Sequence, residues 1–149
     1  MWEYIEHCPV PLDELREAAA LLRPGGLLAL STPNTEHRMA RTSAQDWREY
    51  KPPAHVGFFT ARSLTQALMA TGFEVLEVGY TAPLTAFDAR GLRGLQRLGA
   101  FFGSGSNRRT PLWWITALGH RVYTLPARCR ALVSPARHCV GLEVYARRR

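Results

Sequence analysis

The chain has 149 residues, 46% hydrophobic and 21% charged, a composition that suits one domain with a packed core and excludes long disorder. No run of about 18 apolar residues is present, so no transmembrane helix is predicted. Three scattered cysteines, Cys8, Cys129 and Cys139, exclude a disulfide framework and point to a reducing, cytoplasmic setting.

The net charge of +7 is unevenly spread. Up to Pro83 there are 7 Arg or Lys against 10 Asp or Glu; from Leu84 onward there are 12 against 2. A basic C-terminal half can meet an acidic partner such as a membrane surface or a nucleic acid. A coding bias is the plainer and preferred reading, since 18 of the 19 basic residues are Arg. The first residues, Met1 to His7, carry acids and no basic run, and do not read as a signal peptide.

The first predicted element is a helix over 11–22. Pro11 suits its first turn, Asp13 and Glu14 favour its positive end, and Leu12, Leu15, Ala19 and Leu22 share one face. Arg23-Pro24-Gly25-Gly26 ends it. The apolar run Leu27 to Ser31 then reads as a strand buried on both faces. Residues 32–59 form a long irregular stretch, but Trp47, Tyr50, His55, Phe58 and Phe59 give it too many rings for disorder. It is predicted to be a packed functional loop. A second helix is expected over 61–71, with Thr60 as N-cap and Gly72 closing it, followed by a strand over 73–80. Residues 85–102 read as an interrupted helix and 103–107 as a Gly-Ser linker. A helix over 112–133, broken near Pro126, and a closing strand over 140–145 complete an α/β order.

Two motifs narrow this reading. The first is Glu6-His7-Cys8-Pro9-Val10-Pro11 followed by Arg23-Pro24-Gly25-Gly26-Leu27-Leu28-Ala29-Leu30-Ser31-Thr32-Pro33-Asn34. The second runs from Trp47 through Tyr50-Lys51-Pro52-Pro53-Ala54-His55 to Phe58-Phe59, then Thr71-Gly72-Phe73. Together they resemble the region around the fourth and fifth strands of class I S-adenosylmethionine (SAM)-dependent methyltransferases, in a broad small-molecule and sugar methyltransferase subgroup. The resemblance covers residues 2–80 and, as the family's final strand, 140–147. It implies a Rossmann-like fold of which this chain holds the C-terminal part. The expected organisation is a partial methyltransferase domain over 1–149, with a family-like core at 1–83, a helical cap or insert at 84–134 and a closing strand with basic tail at 135–149.

The resemblance also implies transfer of a methyl group from SAM to a small-molecule acceptor. Glu6 and His7 are then expected beside the cofactor's methionine end and, with His55, in the catalytic group; a base must take the acceptor's proton, and imidazole titrates near neutrality. Asn34, Trp47, Tyr50, Lys51 and His55 are expected around the acceptor. The family's Gly-rich turn and ribose-binding acid are absent from the sequence, which departs from the pattern there. The chain alone is therefore expected to bind SAM weakly and to be truncated relative to the family. Glu3-x-x-Glu6-His7 resembles a pattern in ubiquinone-pathway O-methyltransferases and could hold a divalent metal, but crevice hydrogen bonding is the preferred reading and no metal ligand is assigned. His120, Cys129, His138 and Cys139 match no zinc spacing.

Two other readings remain open at this point. One is a non-catalytic remnant or interaction subunit that needs a partner chain. The other is a basic nucleic-acid-binding module, although no binding motif supports specific nucleic acid recognition. A truncated sheet would leave an open edge, through which the chain is expected to dimerise or aggregate.

Overall fold

A computed structural model describes residues 1–81 and 111–149. Two compact units divide the chain: Met1–Ala82 with Cys139–Arg149, and Pro83–His138. The predicted interrupted helix at 85–102 and the linker at 103–107 lie outside the described residues.

The first unit opens with a 3-10 turn at Ile5–His7, then α1 (Pro11–Leu21), β1 (Leu27–Pro33), the short α2 (Arg38–Thr42) and a 3-10 turn at Ala44–Asp46. It continues with α3 (Ala61–Ala70) and β2 (Phe73–Thr81). The second unit contributes α4 (Pro111–Val133) and α5 (Pro135–His138), and the chain returns to the first as β3 (Gly141–Arg148).

Local signals account for the element ends. Pro11 occupies the first turn of α1, where its missing amide costs nothing. Gly25, at φ 79°, takes the left-handed turn that separates α1 from β1. Thr60 caps α3 through a reciprocal pair with Ser63: each side chain takes the other's backbone amide. Gly72, at φ 91°, closes that helix. The expected break at Pro126 does not occur, because α4 runs through it. One proline removes one amide donor from a helix of 23 residues, and the turns on either side remain bonded.

The sheet order is β1-β3-β2, with β3 antiparallel to both neighbours. Central placement extends β3 to Arg148, beyond the expected end, because its last residues still pair with Leu27 on one side and Phe73 on the other. One face of the sheet carries the core. Leu28 and Leu30 lie opposite Ala146 and Val144, and Val75 and Val78 flank them from β2. These pack with Leu15 of α1 and Leu64 and Leu68 of α3 in one cluster. A bulge between Val75 and Glu77 takes Leu76 out of register, and Leu76 is half exposed as a result.

The outer edge of β1 meets the beginning of the chain. Ser31 donates its amide to the Met1 carbonyl, Glu3 donates to the Ser31 carbonyl, and Trp2 and Ser31 form a parallel bridge. Leu27 of this edge is 67% exposed. Strand β1 is thus not covered evenly along its length, in contrast to the expectation of burial throughout: only its C-terminal half, Leu30 to Pro33, is continuously buried. Among the described residues no helix is long and apolar enough to cross a membrane.

Candidate active site

The buried end of β1 is its carboxyl end, and there the chain assembles its polar groups. In open α/β sheets this is the side on which ligands bind. The parallel contact of residues 1–3 with β1 delivers the turn Ile5–His7 to this end. Ile5 points into the apolar cluster. Glu6 is fully buried, and its Oε2 accepts a 3.0 Å hydrogen bond from Thr32 Oγ1. Its other oxygen, Oε1, is buried and has no hydrogen-bond partner. A carboxylate left with a bare oxygen inside a protein is costly unless something occupies it in the working state.

The long loop after β1 supplies the third side chain. Its two ends are tied together: Asn34 and Phe59 form a parallel bridge, and Thr35 donates both its amide and its hydroxyl to the Phe59 carbonyl. The returning strand of the loop is stapled to the Glu6 turn, because the amides of Val56 and Gly57 both donate to the Glu6 carbonyl, at 2.8 and 2.9 Å. Gly57 suits this close approach. A Cβ there would sit 3.2 Å from the Phe59 ring and 3.4 Å from the Ile5 carbonyl oxygen.

That staple brings His55 beside Glu6 and His7. One ligand-type atom from each of the three lies within 4.8 Å of the other two. The rings of His7 and His55 meet edge to face with centroids 4.7 Å apart. His7 Nδ1 is 2.7 Å from the Ala54 carbonyl oxygen. A carbonyl only accepts, so Nδ1 carries the proton and Nε2 of neutral His7 carries a lone pair. Nε2 lies 4.0 Å from Glu6 Oε1. His55 is 6% exposed, and its Nδ1 is buried without a partner. Two imidazoles and one carboxylate therefore converge with unsatisfied atoms among them.

The other expected site residues divide. Trp47 is buried, with its indole Nε1 lacking a partner, and its ring lies against Phe58, which stacks on Tyr50. Tyr50 and Phe58 keep part of their surface in solvent. Lys51 is exposed and its ammonium donates to Glu49 at 2.7 Å. Asn34 is fully buried, and its amide is used within the fold: Nδ2 donates to the Cys139 carbonyl and Oδ1 accepts from the Glu36 amide. Glu3, whose part in a metal site with Glu6 and His7 is not the preferred reading of the sequence, turns away from them. Its carboxylate accepts the Ser31 hydroxyl instead, outside the cluster. Thr32 lies in the segment 31–34 expected around the acceptor, but its bond to Glu6 is not foreseen from the sequence. Its signal was only that a polar residue ends an apolar strand, directly before Pro33-Asn34.

Nearby ionisable groups are shifted by ordinary causes. Burial pushes the Cys8 thiol up, against a lowering contribution from Tyr4. The Tyr4 hydroxyl is pushed up to about 12, chiefly by its hydrogen bond to Glu14.

A three-stranded sheet with β3 antiparallel between β1 and β2, together with its helices, makes an α/β unit that fits part of a Rossmann-like fold. A family model described as a methyltransferase domain matches residues 1–78, and the chain belongs to that family. Two solved structures share the fold. The 4+2 cyclase SpnF aligns with a TM-score of 0.52 and 18% identity over 99% of this chain and 47% of its own. A protein described as a sarcosine dimethylglycine methyltransferase, from Galdieria sulphuraria, aligns with a TM-score of 0.51 and 14% identity over 98% of this chain and 50% of its own. The chain thus spans about half the length of the solved structures it matches. No curated protein matches it.

Proposed function

We propose that this chain supplies the acceptor side and the catalytic group of a SAM-dependent small-molecule methyltransferase. The observation that carries the reading is the convergence of Glu6, His7 and His55 at the carboxyl end of β1, in a chain that belongs to the methyltransferase family. When bound, SAM supplies an electrophilic methyl group on a sulfonium centre.

The residues present suit one end of that cofactor. Glu6 Oε1, a buried acceptor without a partner, fits an ammonium such as that of a methionine moiety. A Gly-rich turn and a ribose-binding acid, which would hold the nucleoside, are not in the sequence. This chain therefore takes the methionine end and the acceptor. His55 takes the acceptor's proton as its oxygen or nitrogen attacks, and His7, fixed in one tautomer by the Ala54 carbonyl, orients beside it. In the Trp47–Phe58–Tyr50 ring group, Phe58 and Tyr50 offer partly open apolar surface to a planar acceptor. Most of the catalytic effect comes from alignment of donor and acceptor.

The test is labelled methyl transfer to a panel of phenolic, amine and carboxylate acceptors. It uses the chain expressed in frame with whatever coding sequence lies directly upstream of Met1. His55→Ala is expected to lower turnover by about 100-fold or more, the usual contribution of a general base, while SAM affinity is kept. Lost SAM affinity with normal turnover of bound cofactor would overturn the assignment of His55. The 149-residue chain alone is expected to bind SAM weakly, as calorimetry would show.

A further inference from the structure

We infer that the outer face of α4 is a docking site for an acidic amphipathic helix of another protein. Leu118, Val122, Leu125, Cys129 and Leu132 are all exposed, the four aliphatic ones at 63%, 62%, 57% and 84%. They follow one another four, three, four and three residues apart, so they line one side of the helix over about 21 Å. Thr124, Ala127 and Ala131 are buried and fall on the opposite side. A lone exposed leucine is ordinary, but a continuous apolar row marks a surface that another element covers. The row lies beyond residues 1–78, so the methyltransferase family model does not account for it, and the inference does not rest on the catalytic reading.

The spacing selects a helix as the occupant. Positions that alternate four and three residues apart make the narrow seam along which two helices pack, each side chain entering a hole between side chains of the partner. A helix lying in a bilayer surface uses a broader apolar face. Gly119 and Pro126 border this seam on one flank and bring no charge. Arg121 and Arg128, seven residues apart, border it on the other. Both arginines are exposed, and neither pairs with a carboxylate among the described residues.

The charge selects which helix. Arg121 and Arg128 hold the flanking positions from which interhelical ion pairs are made. No acidic residue lies between Asp88 and Glu143. A second α4 laid along the first would therefore set arginine against arginine, or against the uncharged flank of Gly119 and Pro126. Glutamates on a helix of another protein complete the flank that this chain leaves unpaired.

The test uses the full chain and two synthetic peptides of about 20 residues. Both carry leucine and isoleucine at the alternating spacing; one has glutamate at every flanking position and the other has lysine. Binding of the labelled peptides is read by fluorescence anisotropy, and alkylation of Cys129 by iodoacetamide is read by mass spectrometry. The glutamate peptide is expected to bind saturably, at least about 10-fold tighter than the lysine peptide at low salt, with the difference shrinking at high salt. Once bound it should slow the alkylation of Cys129 by about 10-fold or more, because that thiol stands in the seam. Arg121→Glu combined with Arg128→Glu should reverse the preference between the peptides, and Leu125→Asp should weaken both by about 10-fold or more. These three positions are exposed, so the circular dichroism of the variants should match the parent. Arg62→Glu, an exposed charge change on α3, should bind like the parent. The inference is overturned if neither peptide binds, if the two bind alike, or if Leu125→Asp leaves binding unchanged. It is also overturned if the chain self-associates through this row, seen as concentration-dependent elution that Leu125→Asp abolishes. Binding to phosphatidylcholine–phosphatidylglycerol vesicles but to neither peptide would overturn it in favour of a membrane surface.

Discussion

The hydrogen bond from Thr32 to Glu6 gives the sharpest test of how the site is held. Both residues are fully buried, and the bond is 3.0 Å long. Among the described residues Thr32 is the side-chain donor to Glu6, whose other oxygen has none. Thr32→Val keeps the shape and the β-branched strand preference, so it opens no cavity and removes only the donor. A hydrogen bond to a charged group contributes about 1.5–3 kcal/mol net, and here its loss leaves both carboxylate oxygens bare. The expected loss is therefore at the upper part of that range, about 2–3 kcal/mol. For a chain of this size each kcal/mol moves the midpoint by about 2–4 °C, so Tm should fall by about 4–12 °C. Urea unfolding at neutral pH with chelator present, read by tryptophan fluorescence, measures the change. A double-mutant cycle with Glu6→Gln should return a coupling of about 1 kcal/mol or more. If Thr32→Val lies within about 0.5 kcal/mol of the parent, or if the two changes add, then Glu6 is not held as described and the site loses its fixed member.

Two further outcomes follow from shifted groups. Burial pushes the thiols of both Cys8 and Cys139 up, whereas Cys129 on α4 is exposed. With a thiol reagent near pH 8, Cys129 should react first and the other two only as the fold opens, because the thiolate is the nucleophile; equal rates at all three would contradict the burial assigned to them. Burial also pushes up the Tyr80 hydroxyl, with Glu36 beside it adding to the shift. A folded value above the unfolded one means a contribution fully present below pH 10.0 and lost as pH rises through the folded value. Tyr80→Phe should reduce the loss of stability between pH 9 and pH 11, and an unchanged alkaline loss would refute it.

The fold was legible where local chemistry decides. Proline at the start of α1, glycine at positive φ after α1 and α3, and the Thr60–Ser63 cap each act within a few residues, and they set boundaries within a residue or so. The apolar run of β1 showed that a strand was there but not how it is covered. Its exposed first residue, Leu27, depends on what pairs with the sheet edge, which is a long-range matter. The same holds for β3, whose extra length comes from its two neighbours and not from its own residues. At Pro126 a local rule was applied too strongly, since a helix already propagated on both sides absorbs one missing amide.

The site was legible as residues but not as an arrangement. Glu6 and His7 stand next to each other in the sequence, and the Trp47–Phe59 run announced a functional loop. Spacing offers Glu3 as a third member, although crevice hydrogen bonding by Glu6 and His7 is the preferred reading. Spacing along an irregular turn is a poor guide, however, because no helical or strand period fixes which way each side chain points. Glu3 takes a backbone φ of 47° and turns its carboxylate to Ser31. His55 joins Glu6 and His7 instead, and it arrives from a distant loop because two amides of that loop bond one carbonyl of the Glu6 turn. Gly57, where those backbones come close, belongs to the arrangement along with the three converging side chains. A Cβ added there would require the Phe59 ring to give by a few tenths of an ångström. The chemistry of the cluster thus rests on a backbone contact that no residue pattern in the chain displays.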